Sequence, residues 1–271
     1  MRKHRLIATL LVAGGTVVQT RKFKPTNAVG NAFTAVDFFN GWAVDEIAIL
    51  EISRDRSGVD RFIEIVEELS RRCFVPLSVG GKIEQAEDAL RYVRVGADKA
   101  VVNTAASDRP ELIAEIADAI GRQSLVVSID ARRDESMPSG YRVVVDCARR
   151  DTDRDALAWA QEAVERGAGE LLVNAVENDG DKRGYDIDLM RIVSGGTRVP
   201  LIAMGGVGRW EHLVDGIRLG GADAVAAGNI FHYTEHSTKK AKEFLAAAGL
   251  PMRRSSFYKV ALPRRPKYRP F

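Results

Sequence analysis

The residue best placed to do chemistry is Asp130, which directly follows a short apolar segment. Residues 125–129 (LVVSI) are mostly apolar and rich in β-branched side chains, which is typical of a strand buried on both faces of a parallel sheet. A carboxylate at the C-terminal end of such a strand lies at the edge where α/β folds place their active sites. Asp130 is therefore a candidate catalytic residue.

Loops that follow four other predicted strands could bind phosphate through backbone N–H groups. Glycine lets the backbone approach an anion closely, and the last two loops of a barrel are its usual phosphate site. Two such cradles would suit a ligand with a phosphate at each end, although the same glycines would also permit tight turns alone. Lys82 follows Gly81, at a position where a third glycine would leave the backbone N–H open to an anion. Lys82 therefore either adds a positive charge to the first phosphate site or blocks it. The cradle residues are Gly80, Gly81, Asn103, Thr104, Gly205, Gly206, Gly228 and Asn229.

An internal repeat indicates how these residues are positioned. VPLSVGG at 75–81 is echoed by VPLIAMGG at 199–206, and GADKAVVN at 96–103 is echoed by GADAVAAGN at 221–229. The offsets are close to half the chain length, so one half-barrel-sized unit occurs twice.

The pattern of apolar segments predicts eight strands alternating with eight helices, and hence an α/β fold of the (β/α)8 TIM barrel type built from two repeated half-barrels. A long loop is expected at 16–30, a β-like piece at 141–145, and a helix that begins with Asp108 as N-cap and Pro110 in its first turn. The barrel is assigned to residues 1–250 and a basic, proline-rich tail to 251–271. The predicted strands span residues 5–12, 46–52, 76–79, 99–103, 125–130, 171–176, 201–204 and 222–227.

Composition limits the possible protein classes. The 271 residues are 45% hydrophobic, which suits one domain with a sizeable core. The net charge of +3 argues neither for nor against an anionic partner, and neither a nucleic-acid nor a membrane partner is expected. Two distant cysteines and no membrane-length apolar run lead us to expect a cytoplasmic protein. His212, His232 and His236 show no ligand-like grouping, so neither a metal site nor a cofactor is expected.

The motifs resemble the cyclase subunit of imidazole glycerol phosphate synthase over roughly residues 4–250. Matching segments include VDEIAIL, VGGKI, VVSIDARR, ENDGDKRGYD and GADAVAAGNIF. The resemblance implies twin phosphate sites, a class I glutaminase docked at the N-terminal face, and ammonia that passes through the barrel to a site where an imidazole ring closes. Asp179 and Gly180 match a family motif near a phosphate, although Asp before Gly is also ordinary turn chemistry.

The catalytic pattern of this family is incomplete here. The family relies on two aspartates, at the ends of strands one and five; Asp130 is the second, and Leu11 occupies the position of the first. Leucine can neither donate nor accept a proton, and loss of a positioned acid–base group typically costs about 10²–10⁴-fold in rate. Gln19 stands where the family usually carries a lysine in its first loop.

The opposite end of the barrel matches the family more fully. Arg5, Glu46, Lys99 and Glu170 each open a predicted strand, and the family uses four such residues as the gate through which ammonia enters. Asp98 matches a position that faces the glutaminase. A ring of this kind could also be a salt-bridged plug, since the bottom face of a barrel usually serves stability.

These observations predict a glutaminase-partnered barrel that accepts and channels ammonia, with cyclase activity lost or weak. The segment LLVAGGTVVQTRKFKP resembles a cyclase-like offshoot of the family linked to surface-polysaccharide (O-antigen) biosynthesis. There an N-acetyl sugar amidotransferase converts an acetamido group of a nucleotide-linked sugar to acetamidino. The alternative is an active cyclase (lyase) subunit of histidine biosynthesis. The related isomerase of that pathway also needs the acid that Leu11 replaces.

Overall fold

Eight parallel strands form a closed barrel in a computed structural model that describes residues 3–53, 58–232 and 237–253. Pairing of β7 with β10 and of β1 with β12 completes the circle, which confirms the predicted (β/α)8 architecture. His236 and residues 254–271, which make up most of the predicted tail, lie outside the described residues. Numbered in chain order with four further strands, the barrel strands are β1 (Arg5–Ala13), β4 (Glu46–Glu51), β5 (Leu77–Gly80), β6 (Lys99–Val102), β7 (Leu125–Arg133), β10 (Glu170–Ala175), β11 (Leu201–Met204) and β12 (Ala224–Ala227).

Helices follow the barrel strands and cover the outside of the sheet. Several begin at a side-chain cap: Asn31 accepts the N–H of Phe33, and Asp155 accepts those of Leu157 and Ala158. Among the described residues, no helix combines the length and apolar composition needed to cross a membrane. The α-helices are α1 (Ala32–Gly41), α2 (Val59–Ser70), α3 (Ala86–Arg94), α4 (Thr104–Asp108), α5 (Glu111–Ile120), α6 (Ala156–Arg166), α7 (Ile187–Gly196), α8 (Trp210–Arg218) and α9 (Ser237–Ala247).

Side chains alternate between the two faces of each strand, as the pleat of a β-sheet requires. On β1, Leu6, Ala8 and Leu10 point outward into the layer between sheet and helices, whereas Ile7 belongs to a separate apolar cluster inside the barrel. Polar residues at inward positions are therefore enclosed by the sheet, which makes them the first candidates for function.

Aspartates just before three of the barrel strands anchor the bottom of the sheet. Asp98 accepts the N–H of Leu77 at 2.7 Å, and Asp45 and Asp223 accept the N–H groups of Leu6 in β1 and Leu201 in β11 in the same way. Asp98 is exposed, so it combines this internal bond with a position on the N-terminal face. The echoed GAD motifs thus have a structural role in addition to any contact with a partner.

Two sequence predictions about the loops are wrong and one is confirmed. Residues 16–30, expected to be a loop, form an antiparallel hairpin of β2 (Thr16–Arg21) and β3 (Lys24–Gly30). The β-like piece predicted at 141–145 is β8 (Tyr141–Val145), which pairs with β9 (Arg150–Asp155) in a second hairpin. Asp108 ends α4 instead of capping α5, and its carboxylate binds Arg150. Both hairpins extend the barrel strand before them, so their backbone groups pair with a neighbour that local sequence does not reveal.

A buried ion pair between Lys242 and Asp45, 2.5 Å apart, attaches α9 to the N-terminal edge of the barrel. Burial raises the pKa of Asp45, and the hydrogen bond from Lys242 opposes that rise. The chain then continues past α9, where Met252 forms a β-bridge with His4. The first residues of the basic tail are therefore attached to the start of β1.

We expect Lys242→Met to lower the free energy of unfolding by about 3–5 kcal/mol, because it leaves the Asp45 carboxylate buried without its cation. Urea denaturation at neutral pH measures the change. Lys240→Met is the matched control, because Lys240 lies on the exposed side of the same helix. Equal stability of the two variants would contradict this assignment.

Candidate active site

The four residues predicted as a gate meet at the N-terminal end of the barrel. Arg5 lies 2.8 Å from Glu46 and 3.1 Å from Glu170, and Lys99 lies 3.1 Å and 3.0 Å from the same two carboxylates. Each cation therefore contacts both anions, and the four side chains form a closed ring of alternating charge.

The ring is balanced although it is largely removed from solvent. Burial acts to lower the pKa of Arg5, but the charges of Glu46 and Glu170 outweigh that effect and raise it. Ser78 adds a hydrogen bond to Glu46 at 2.6 Å. The ring thus satisfies its own charges, as a buried ionic cluster must.

Above the ring, the middle of the barrel is apolar. Ala48, Ala224 and Ala226 leave room that larger side chains would fill, and the rest of the layer consists of branched residues and one methionine. Leu11 and Leu50 continue this surface toward the C-terminal end. The buried members of the cluster are Ile7, Ala48, Val101, Val126, Leu172, Ile202, Met204, Ala224 and Ala226.

A cavity of about 410 Å³ opens at the C-terminal end, beside a smaller one of about 30 Å³. The larger is lined by Asp130 with Gly81, Asn103 and Thr104, and the smaller by the second set of glycine loops. The two share Leu11, Thr20, Asp179 and Met204, so they are lobes of one site. The predicted cradles therefore lie on opposite sides of a common floor.

Asp130 is buried at this floor, with 8% of its surface exposed. Burial raises the pKa of Asp130 to about 7; a hydrogen bond from Asn103 (Nδ2 to Oδ2, 2.9 Å) opposes the rise, and the nearby charge of Asp179 adds to it. A carboxyl group with a pKa near neutrality can both donate and accept a proton, which is what general acid–base catalysis requires.

Leu11 occupies the place in the first half that Asp130 occupies in the second. Leu11 pairs with Val18 of the first hairpin, and Asp130 pairs with Val144 of the second. Both line the cavity, so an apolar side chain stands at the position of the first half that corresponds to Asp130. The catalytic assignment of these two positions stays a prediction. The floor is consequently apolar on one side and acidic on the other.

The cradle glycines are required by the backbone whether or not an anion binds. A Cβ on Gly81 would lie 2.2 Å from the carbonyl oxygen of Glu51, and one on Gly206 would lie 2.2 Å from that of Gly184. Both residues also have positive φ, near +90°. The tight-turn explanation thus accounts for these glycines, and phosphate binding by Gly205, Gly206 and Gly228 stays a prediction.

The polar cradle residues make contacts that the sequence did not indicate. Thr104 accepts the N–H of Asp146 at 3.0 Å and so ties the β8–β9 turn to the cavity. Asn229 donates to the carbonyl of Thr20 at 3.0 Å. Lys82 has positive φ, lines the larger lobe and donates to the carbonyl of Ser53.

Asp179 and Gly180 hold the first hairpin. Asp179 accepts the N–H of Phe23 at 2.9 Å, and a Cβ on Gly180 would lie 2.3 Å from the carbonyl oxygen of Thr20. Their predicted contact with phosphate is untested, and the bonds observed here serve the hairpin. Gln19, expected in a loop, is buried in β2.

Sequence reasoning missed the part of the larger lobe that the two hairpin turns supply. Phe23 and Cys147 come from these turns, and Arg149 lies two positions after Cys147. Burial raises the pKa of Cys147, and the charge of Asp130 raises it further. Aligning the segments that follow Leu11 and Asp130 would have indicated that both turns reach the site.

We expect Asp130→Asn to change how stability depends on pH. A carboxyl whose pKa is raised by folding stabilises the fold while it is protonated, and that contribution is lost as pH rises from about 4 through about 7. Relative to the native chain, the variant should gain on the order of 4 kcal/mol of unfolding free energy over this range. Urea denaturation at several pH values measures the unfolding free energy of both proteins. If the two free energies change with pH in parallel, the pKa of Asp130 is not raised.

Comparison with known proteins gives a consistent result. The family model for histidine biosynthesis proteins matches residues 5–237. Two relatives from Caulobacter vibrioides, one from strain NA1000 / CB15N and one from strain ATCC 19089 / CIP 103742 / CB 15, are each described as imidazole glycerol phosphate synthase subunit HisF. Each is 42% identical over 253 residues, which cover 93% of this chain and 97% of the relative.

Proposed function

The chain belongs to the histidine biosynthesis protein family, among its HisF-type members, and on that premise we propose that it is the cyclase subunit of an imidazole glycerol phosphate synthase. The observation that carries this proposal is Asp130, a buried carboxyl with a pKa of about 7 on the floor of a cavity of about 410 Å³. The expected chemistry is ring closure with ammonia as the nitrogen source. This was the alternative prediction from the sequence.

Asp130 would move protons during ring closure, because it is the cavity acid whose pKa lies at working pH. Asn103 fixes one carboxylate oxygen and leaves the other available. The two lobes on either side of Asp130 would each take one phosphate end of the substrate. Cationic support in the larger lobe comes from Lys82 and Arg149, which line it.

Ammonia would enter from a class I glutaminase bound at the N-terminal face, through the ring of Arg5, Glu46, Lys99 and Glu170. Neutral ammonia loses little on entering an apolar passage, whereas ammonium would lose its hydration. The apolar layer with three alanines separates the ring from the cavity. This arrangement suits passage of a small neutral molecule from one end to the other.

Leu11 supports a second candidate function. If one acid is insufficient for ring closure, the barrel would deliver ammonia to an acceptor that a separate enzyme modifies. The predicted acceptor of that kind, an acetamido sugar, receives no support from the relatives, which are named as cyclase subunits. We therefore place this candidate second.

We expect the purified barrel to turn over the cyclase's ribulosyl aminoimidazole substrate slowly at high ammonium, and Leu11→Asp to raise kcat by about 10²–10⁴-fold. Ammonium replaces the glutaminase, so the assay measures the barrel's own chemistry. Leu50→Asp is the matched control, because Leu50 pairs with Leu11 and lines the same lobe. Absence of turnover in both the native chain and Leu11→Asp would reject the cyclase and favour ammonia delivery.

On the Leu11→Asp background, Lys99→Ala should reduce glutamine-driven turnover relative to ammonium-driven turnover by about two- to thirtyfold. The substitution removes two of the four ion pairs of the ring and leaves the cavity unchanged. Lys239→Ala, on the exposed side of α9, is the control. An unchanged ratio would make the ring a structural plug.

A further inference from the structure

Three hydrogen bonds attach the turn of the β2–β3 hairpin to the mouth of the barrel. Asp179 accepts the N–H of Phe23 with its Oδ2 at 2.9 Å and the N–H of Lys22 with its main-chain oxygen at 2.8 Å. Asn229 donates to the carbonyl of Thr20 at 3.0 Å. The turn is thereby fastened to the loops that follow β10 and β12.

Asp179 stands between this turn and the catalytic floor. It is buried, it lines both lobes, and the ring of Phe23 lines the larger one. Besides Phe23, the side chain of Thr20 hydrogen-bonds to its carboxylate. These bonds account for a carboxylate at position 179 without a bound phosphate. The carboxylate would repel a phosphate.

We propose that Asp179 is a positioning residue that clasps the β2–β3 hairpin over the cavity and links the position of the hairpin to the charge on Asp130. The clasp needs no assumption about the ligand; only the importance of Asp130 rests on the proposed function.

The link follows from the mutual repulsion of two buried carboxylates. The charge of Asp179 raises the pKa of Asp130, so a charge on Asp130 must disfavour ionised Asp179 to the same extent. Ionised Asp179 makes the stronger, charge-assisted bond to the N–H of Phe23. The hairpin is therefore held best while Asp130 is protonated, and it loosens as pH rises through about 7.

Other charged or titratable groups that line the larger lobe come from the end of β4, the loop after β5, α4 and the β8–β9 turn. None of them contributes to the pKa of Asp130 as Asp179 does, and the charge of Asp181 raises the pKa of Asp179 itself. The lobe groups are Glu51, Lys82, Glu84, Asp108, Asp146, Cys147 and Arg149.

Two measurements on the full chain test the proposal, and neither requires turnover. The first is amide hydrogen exchange of Phe23, and the second is the titration midpoint of Asp130 followed by carboxyl ¹³C NMR. Asp179→Ala should accelerate Phe23 exchange by about tenfold or more, because a bond to a charged acceptor is lost. Asp179→Asn keeps a carbonyl acceptor for Phe23 and should move the Asp130 midpoint to lower pH.

Asp181→Asn is the matched control, because Asp181 lies in the same loop and pairs with exposed Arg21 of the same hairpin at 2.9 Å. Arg21 is largely exposed, so its pair with Asp181 contributes little, and this variant should leave Phe23 exchange within about fivefold of native. In the native chain, Phe23 exchange corrected for base catalysis should rise as pH passes 7.

Unchanged Phe23 exchange in Asp179→Ala would overturn the clasp, and an unchanged Asp130 midpoint in Asp179→Asn would overturn the link. Thermal unfolding of Asp179→Asn, which is nearly isosteric, shows whether a change reflects general destabilisation. Phe23 exchange and the Asp130 midpoint could change as expected while neither the native barrel nor Leu11→Asp turns over the substrate with ammonium. That outcome would reject the cyclase assignment and support the clasp.

Discussion

Closure of the parallel sheet is the constraint on which the rest of this structure depends. Once β7 pairs with β10 and β1 with β12, every second residue of each strand is committed to an interior that water barely reaches. Each inward polar group must then find a partner inside the barrel. The two ends of the barrel meet this requirement in opposite ways, and the difference explains where function lies.

At the N-terminal end each charge is paired with charges of the opposite sign. Arg5 and Lys99 each contact both Glu46 and Glu170, so every member of the buried ring has two ion-pair partners. At the C-terminal end Asp130 has an amide as its hydrogen-bond partner and a second carboxylate as its charged neighbour, so burial raises its pKa to about 7. The same low polarity thus produces a fixed ionic structure at one end and a titratable group at the other.

The internal repeat gives the two halves one scaffold with different chemistry. Each half begins with a strand that is extended by a hairpin, and each hairpin turn reaches the same cavity. In the second half that strand carries Asp130 and in the first half Leu11, so the symmetry of the backbone is broken by one side chain. The loop with Asp179 reconnects the halves, because it joins the hairpin of the first half to a strand of the second.

The sequence by itself determined the barrel, its twofold repeat and the strand that carries each polar residue. Continuous apolar segments and echoed glycine motifs depend on local composition, and the register of Leu11 and Asp130 follows from strand periodicity. Only the tertiary structure decided which side chains meet: the hairpin at 16–30, the bond between Thr104 and the β8–β9 turn, and the clasp between Asp179 and Phe23. The last two of these contacts join residues 42 and 156 positions apart. Their partners are selected by barrel closure, which no local pattern encodes, and so is the burial that sets the pKa of Asp130.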